Sequence, residues 1–385
     1  MRSLLIKTSL ILLSVIFAVG LAEVFLRLTR YGEANGVHLE RLMDYDPVLG
    51  WRHKRNSSIE LVTREYHTTL QFDAHGVRGF DPPYSKPPGV SRIVVLGDSF
   101  VEGYAVQMQD RFTEVLQATL GSPFQVIALG VAAYSTDQEL LTLEQEGWKY
   151  QPDLVVLAFY YNDVWGNASR SFGPLVISTQ KPVFVMDAGG NLTLTNVPVP
   201  YPKPTLQDRF KVYDLIRKTA KRSWLLRWLA VKAGLADAQV LESRPMGGVG
   251  SADEFEVYQR TETEKVEREW GITQALLRRM KQETDQRAAH SVVFYVPTRV
   301  ELSAEEWSSL HIPPEYDPGE VAKRLVGICK AEGIPYIEPS DRFREAAQQG
   351  RLYYVYDPHW NPAGNRVAAG ILAQYVASLW QLAHQ

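Results

Sequence analysis

Residues Ile93 to Phe100 read IVVLGDSF: four apolar residues, a glycine, an acid, a serine and a phenylalanine. A short apolar run closed by glycine reads as a strand buried on both faces, since neither face offers water a polar side chain. Two later runs repeat it. Gln125 to Leu129 is closed by Gly130, and Leu154 to Phe159 follows Pro152-Asp153. Helical stretches lie between them, around Phe112 to Leu120 and Thr136 to Tyr150. The order βαβαβ predicts a parallel sheet with helices on both faces. Further on come a long helix at about Glu262 to Arg287, a strand at Ser291 to Val296, and a helix near Val321 to Glu332. A short strand at Pro335 to Ile337 and a last helix from Pro362 to about Leu379 follow, with Asn361 as its cap.

The rest of the chain sorts around this core. Residues 166 to 262 break the rhythm and read as an insertion. It holds a hairpin, Pro182 to Met186 with Leu192 to Val197, and an apolar helix, Ser223 to Leu235. Trp224, Leu225, Leu226, Trp228 and Leu229 of that helix, with flanking cations, suit either a membrane surface or packing on the main body. Residues 31 to 91 read as an N-terminal extension with β-rich pieces between Ile59 and Phe72. They end in a proline-rich linker, Asp81 to Gly89. Residues 1 to 30 carry the address. Thr8 to Ala22 bear no charge, and apolar residues continue on both sides. The segment is either an uncleaved anchor spanning Leu4 to Leu26 or a signal cut after Gly20-Leu21-Ala22. Both readings place the body outside the cytoplasm, in the periplasm or beyond, with Arg2 and Lys7 inside.

Composition narrows the function. The chain has 385 residues, 41 Lys plus Arg and 44 Asp plus Glu, so its net charge is −3. A dedicated nucleic-acid binder is usually basic, so no nucleic-acid partner is expected. The single cysteine, Cys329, excludes an intrachain disulfide and a cysteine-rich zinc site. There is no glycine-rich phosphate loop and no H-E-x-x-H pair.

The chemistry gathers at strand ends. Ser99 to Gly130 is 31 residues and Gly130 to Asn162 is 32, each about the length of one βαβ step. Ligands of open α/β sheets bind beyond the carboxyl ends of the strands. Ser99, Gly130 and Asn162 are therefore expected at one edge, with Asp357-Pro358-His359-Trp360 over it. A serine nucleophile needs a base, for which His359 is the candidate, and Asp357 is the candidate to orient that base. The oxyanion needs donors, and the amides of Ser99 and Gly130 with the Asn162 side chain would supply three. Tyr160, Tyr161 and Trp360 suit either sugar stacking or ordinary core packing.

These four blocks, IVVLGDSF, Gly130, YYNDV and DPHWNPAG, resemble those of the SGNH (GDSL-type) esterase superfamily over about residues 92 to 385, the insertion aside. The resemblance implies a flavodoxin-like three-layer α/β/α fold with about five parallel strands. It also implies metal-free serine esterase or acyltransferase activity. It casts Ser99 as nucleophile, His359 as base and Asp357 as its partner. Three positions depart from the pattern. Ala128 stands where Asn is usual, Tyr160 where Gly is usual, and only Pro358 separates Asp357 from His359. The Asp-x-His-Trp arrangement is similar to the membrane-associated alginate acetylation proteins of the superfamily. With the N-terminal segment, it points to O-acetyl groups on an exported or envelope carbohydrate. The expected reaction is hydrolysis. The alternatives are transfer to a sugar hydroxyl from a membrane acyl-donor protein, or a degenerate domain that only binds glycan or scaffolds a complex.

Overall fold

A computed structural model describes residues 2–28, 42–79, 81–171, 180–187, 189–201, 252–261, 263–310 and 312–383, with isolated positions 210, 212 and 215. The helix expected at Ser223 to Leu235 lies outside the described residues. The chain divides into two compact units. One is Met1–Val37 with Lys203–Pro245; the other is His38–Pro202 with Met246–Gln385.

In the first unit, one helix runs from Arg2 to Leu28. Its stretch Ile6–Leu28 is long and apolar enough to cross a membrane. At 1.5 Å per residue, 23 residues reach about 35 Å, which covers a hydrocarbon core of about 30 Å.

The second unit opens with two antiparallel hairpins: β1 (Met43–Asp46) with β2 (Gly50–His53), and β3 (Ser57–Val62) with β4 (His67–Phe72). The main sheet holds β5 (Ser91–Gly97), β6 (Phe124–Gly130), β7 (Leu154–Tyr160), β10 (His290–Val296) and β11 (Tyr336–Ile337). Between β7 and β10 lies the hairpin of β8 (Val183–Met186) and β9 (Leu192–Thr195). The sheet order is β11-β10-β7-β5-β6, and every pairing is parallel. Alternate residues, among them Ile93, Val95, Val126, Leu154, Val156, Val292 and Phe294, form one core with helices Phe112–Leu120 and Pro362–Ala383. The intervening residues, such as Val94, Leu96, Val155 and Leu157, are buried too. A sheet sealed on both faces is what the uninterrupted apolar runs require.

The N-terminal extension is not set apart by the proline-rich stretch. Trp51 is fully buried, donating from Nε1 to Ala132 O at 3.1 Å, while Gln138 Nε2 donates to Leu49 O at 2.7 Å. Buried Arg92, at the start of β5, donates to the carbonyls of Pro83 and Tyr84 at 2.7 and 2.9 Å. A guanidinium carries five N–H donors, and here the expected linker supplies acceptors for them. The stretch therefore packs as part of the same unit.

Candidate active site

β5 ends at Gly97, and Ser99 opens a one-turn helix, Ser99–Glu102. Asp98 caps that turn, its Oδ1 accepting from Phe100 N at 2.9 Å. Burial pushes the Asp98 carboxyl up to about 6, against the opposing pull of the Phe100 N–H and the His359 charge. The loop carrying His359 is closed by an antiparallel bridge between Tyr353 and Trp360 and by Tyr354 N donating to His359 O at 3.1 Å. The last helix then starts from Asn361, whose Oδ1 accepts from Ala363 N and Gly364 N.

The two segments meet. Ser99 Oγ lies 2.7 Å from His359 Nε2. His359 Nδ1 lies 2.6 Å from Asp357 Oδ1, which also accepts from His359 N at 3.0 Å. For Ser99 to donate its hydroxyl proton, Nε2 must be bare, so Nδ1 carries the ring proton toward Asp357. Burial opposes charge on His359, but the charge of Asp357 and the hydrogen bond to it outweigh that. With Asp98 and Glu102 they raise the ring above the ordinary histidine value. Burial likewise works against the Asp357 anion. The His359 charge and the bonds from His359 and Tyr66 overcome it and hold the carboxyl at about 2.

Three residues with no recognisable local signal join this site. Tyr66 Oη donates to Asp357 Oδ2 at 2.7 Å. Tyr104 Oη lies 3.0 Å from His359 Nδ1 and 3.5 Å from Asp357 Oδ2. Glu65 accepts from the backbone of the same loop. Of these, only Tyr104 sits near a recognised block, five residues after Ser99.

The expected oxyanion donors fare differently. As the first residue of its helical turn, Ser99 has an N–H with no intrahelical acceptor. Asn162 follows β7, the strand beside β5. Its side chain makes no cap, and its Oδ1 is buried with no partner among the described residues. Gly130 does not join them. Val131 N donates inward to Gly97 O at 3.1 Å, and successive strand amides alternate in direction. The Gly130 amide therefore faces the free edge of β6. The same alternation turns Val126 N and Phe124 O outward, where Gln117 binds both.

What Gly130 provides is room. A Cβ there would stand 2.4 Å from Glu102 N and 2.5 Å from Val101 Cβ, in the helix that starts at Ser99. Gly130→Ala is therefore expected to destabilise the fold by about 1–3 kcal/mol, read as a lower denaturant midpoint. Further along this loop, Val131, Ala132 and Tyr134 donate their amides to Gly97 O, Glu102 Oε2 and Val131 O. Ala133 N has no acceptor among the described residues, in a left-handed residue at φ 67°.

The aromatic candidates divide. Tyr160 and Tyr161 line a cleft with Phe255, Tyr258, Thr298 and Tyr356, and Asp357 forms part of its wall. Trp360 does not reach it. At 2% exposed, it packs edge-on against Phe100 and Phe112 and beside Phe343, so it is core and cannot stack on a ligand.

A serine beyond the first strand of a parallel five-stranded sheet thus meets a His–Asp loop that precedes the last helix. Residues 254–385 match the family described as SGNH hydrolase-like domain, acetyltransferase AlgX. That segment holds Asp357 and His359 and excludes Ser99 and Asn162. No curated protein sequence matches the chain. Among solved structures, the acetyl xylan esterase AlAXEase is 11% identical, with a TM-score of 0.38 over 74% of this chain and 99% of its own. A catalytic mutant of Axe2, an acetylxylan esterase from Geobacillus stearothermophilus, is 11% identical, with a TM-score of 0.37 over 75% of this chain and 95% of its own. The lipase/acylhydrolase from Enterococcus faecalis is 12% identical, with a TM-score of 0.39 over 74% of this chain and 95% of its own.

Proposed function

We propose that this enzyme cleaves small acyl esters, O-acetyl groups on a carbohydrate foremost, through an acyl-Ser99 intermediate. The observation that carries this is the continuous contact Ser99 Oγ–His359 Nε2–His359 Nδ1–Asp357 at 2.7 and 2.6 Å. Ser99 Oγ attacks the ester carbonyl as its proton passes to His359 Nε2. The oxyanion takes hydrogen bonds from the Ser99 amide, the Asn162 side chain and, in place of Gly130, the Ala133 amide. Collapse of the tetrahedral intermediate expels the sugar alcohol, which leaves with the proton from His359. Water then attacks the acyl-serine, its proton going to His359, and the carboxylic acid departs as Ser99 Oγ regains a proton.

Transfer is the second reading, favoured by the match of residues 254–385 to an acetyltransferase family. A sugar hydroxyl then replaces water in the second step, and a membrane acyl-donor protein supplies the acyl group. The tyrosine-rich cleft offers flat faces for a sugar ring. The apolar helix Arg2–Leu28 suits an uncleaved anchor, with the catalytic unit outside the cytoplasm.

A fluorophosphonate probe tests the shared step. Mass mapping of the labelled full-length protein is expected to find the phosphonyl group on Ser99. Label on another residue, or none on folded protein, would leave the inert glycan-binding reading. Asn162→Ala is expected to lower kcat on p-nitrophenyl acetate about 100- to 1,000-fold with little change in KM. A variant with wild-type turnover would remove Asn162 from the oxyanion site.

A further inference from the structure

The loop bearing Asp357 and His359 has no regular structure of its own around the pair, and Pro358 alone separates them. Beyond its own Tyr353–Trp360 bridge, the loop is held from outside: Arg299 Nη1 donates to Tyr354 O and Val355 O, and the turn between β3 and β4 holds the Asp357 side. The Glu65 carboxylate accepts three consecutive backbone N–H groups, those of Val355, Tyr356 and Asp357, at 2.5, 2.8 and 2.9 Å. Tyr66 Oη donates to Asp357 Oδ2, the oxygen that His359 leaves unused. The turn is itself braced. Thr63 Oγ1 accepts from Glu65 N and Tyr66 N at 3.1 and 3.0 Å. The Tyr66 ring packs on Tyr354 with centroids 5.0 Å apart, and Tyr354 Oη reaches Ala105 O at 2.8 Å.

We propose that Glu65 and Tyr66 are positioning residues for the catalytic pair. Glu65 sets the path of the 355–357 backbone, and Tyr66 fixes the rotation of the Asp357 carboxylate so that Oδ1 faces His359 Nδ1. A carboxylate held at one oxygen turns about its Cβ–Cγ bond, which is a soft, roughly two-fold torsion. A bond at the second oxygen stops that rotation. The N-terminal extension thus supplies what the short Asp-x-His spacing cannot supply from within its own loop. This inference rests on the reading of His359 as the base.

The test uses full-length protein in detergent micelles, with its histidine rings labelled with carbon-13, and follows the His359 ring by NMR as pH is varied. In Tyr66→Phe the Asp357 charge loses its short bond from a phenol and keeps only the 3.5 Å contact of Tyr104 Oη, so the His359 midpoint is expected to rise by roughly half a unit. Asp98 and Glu102, the other carboxylates acting on the ring, stay in place. In Glu65→Gln a neutral amide faces three N–H donors. The loop loosens, the Asp357–His359 bond weakens, and the midpoint is expected to fall. Both variants are expected to lose about tenfold in kcat on p-nitrophenyl acetate with KM unchanged. An unmoved midpoint in both overturns the proposal whatever their turnover or thermal stability, because a merely structural role would leave the ring's environment intact. Full turnover in both overturns it as well. The titration needs no turnover, so an enzyme without Ser99-dependent activity would refute the catalytic reading and still report on the clamp.

Discussion

Ser99→Ala is expected to lower kcat for p-nitrophenyl acetate by about 10⁴- to 10⁶-fold while leaving KM within a few fold. The hydroxyl is all that is removed, and among the described residues it bonds His359 Nε2 alone. Binding and the oxyanion donors survive, so residual hydrolysis by directly attacking water remains above the uncatalysed rate. Because Ser99 and His359 act as one unit, His359→Ala should cost about as much, and the double variant little more than either. Two losses that multiply would mean separate roles and would break the mechanism. The same substitution also bears on transfer. If an acetylated sugar and a sugar acceptor exchange acyl groups on the wild-type protein, that exchange must vanish with Ser99.

The sheet was legible because its strands are buried on both faces, and the resulting apolar runs end at glycines or turns. Ile93 to Leu96 sits within β5, two residues short at its start and one at its end, and Leu154 to Phe159 starts with β7 and stops one residue short of its end. That Ser99 and Asn162 follow neighbouring strands was legible because loops after successive parallel strands share one edge, which makes sequence spacing a guide to place. Gly130 shows where that guide stops. Spacing put it at the right strand end, but a one-residue difference in parity decides which way an amide points, and parity was not in the pattern. Trp360 lies one residue past His359 and faces the core for a similar reason. Glu65 and Tyr66 stand about 290 residues from the loop they hold. A contact at that separation leaves no periodicity or motif behind, and a short β-rich stretch before a proline-rich one reads as an appendage.

Asp357→Asn is the second large effect, and it carries a pH signature. The amide can donate its own N–H to Nδ1, which then holds a lone pair. The proton is left on Nε2, the nitrogen that must receive it from Ser99. A loss of about 10⁴-fold in kcat is expected at neutral pH. In the wild-type enzyme kcat/KM should rise with pH as His359 loses its proton. The midpoint should lie above the ordinary histidine value of about 6.5, because Asp357 outweighs burial. With that charge removed, burial is opposed only by the smaller pulls of Asp98 and Glu102, and the midpoint should fall.

The two groups also oppose each other in stability. His359, raised in the folded state, contributes fully below its unfolded value, and the contribution is lost as pH rises through the folded one. Asp357, held at about 2, contributes above its unfolded value of about 3.9, and that is lost as pH falls toward 2. The wild-type denaturant midpoint should therefore drop between about pH 4 and pH 2, and the Asn variant should lack that part of the drop. An acid limb that stays put in Asp357→Asn would mean that something other than Asp357 sets the His359 ionisation. Asp98 and Glu102, the other carboxylates that raise the ring, would then be the groups to replace next.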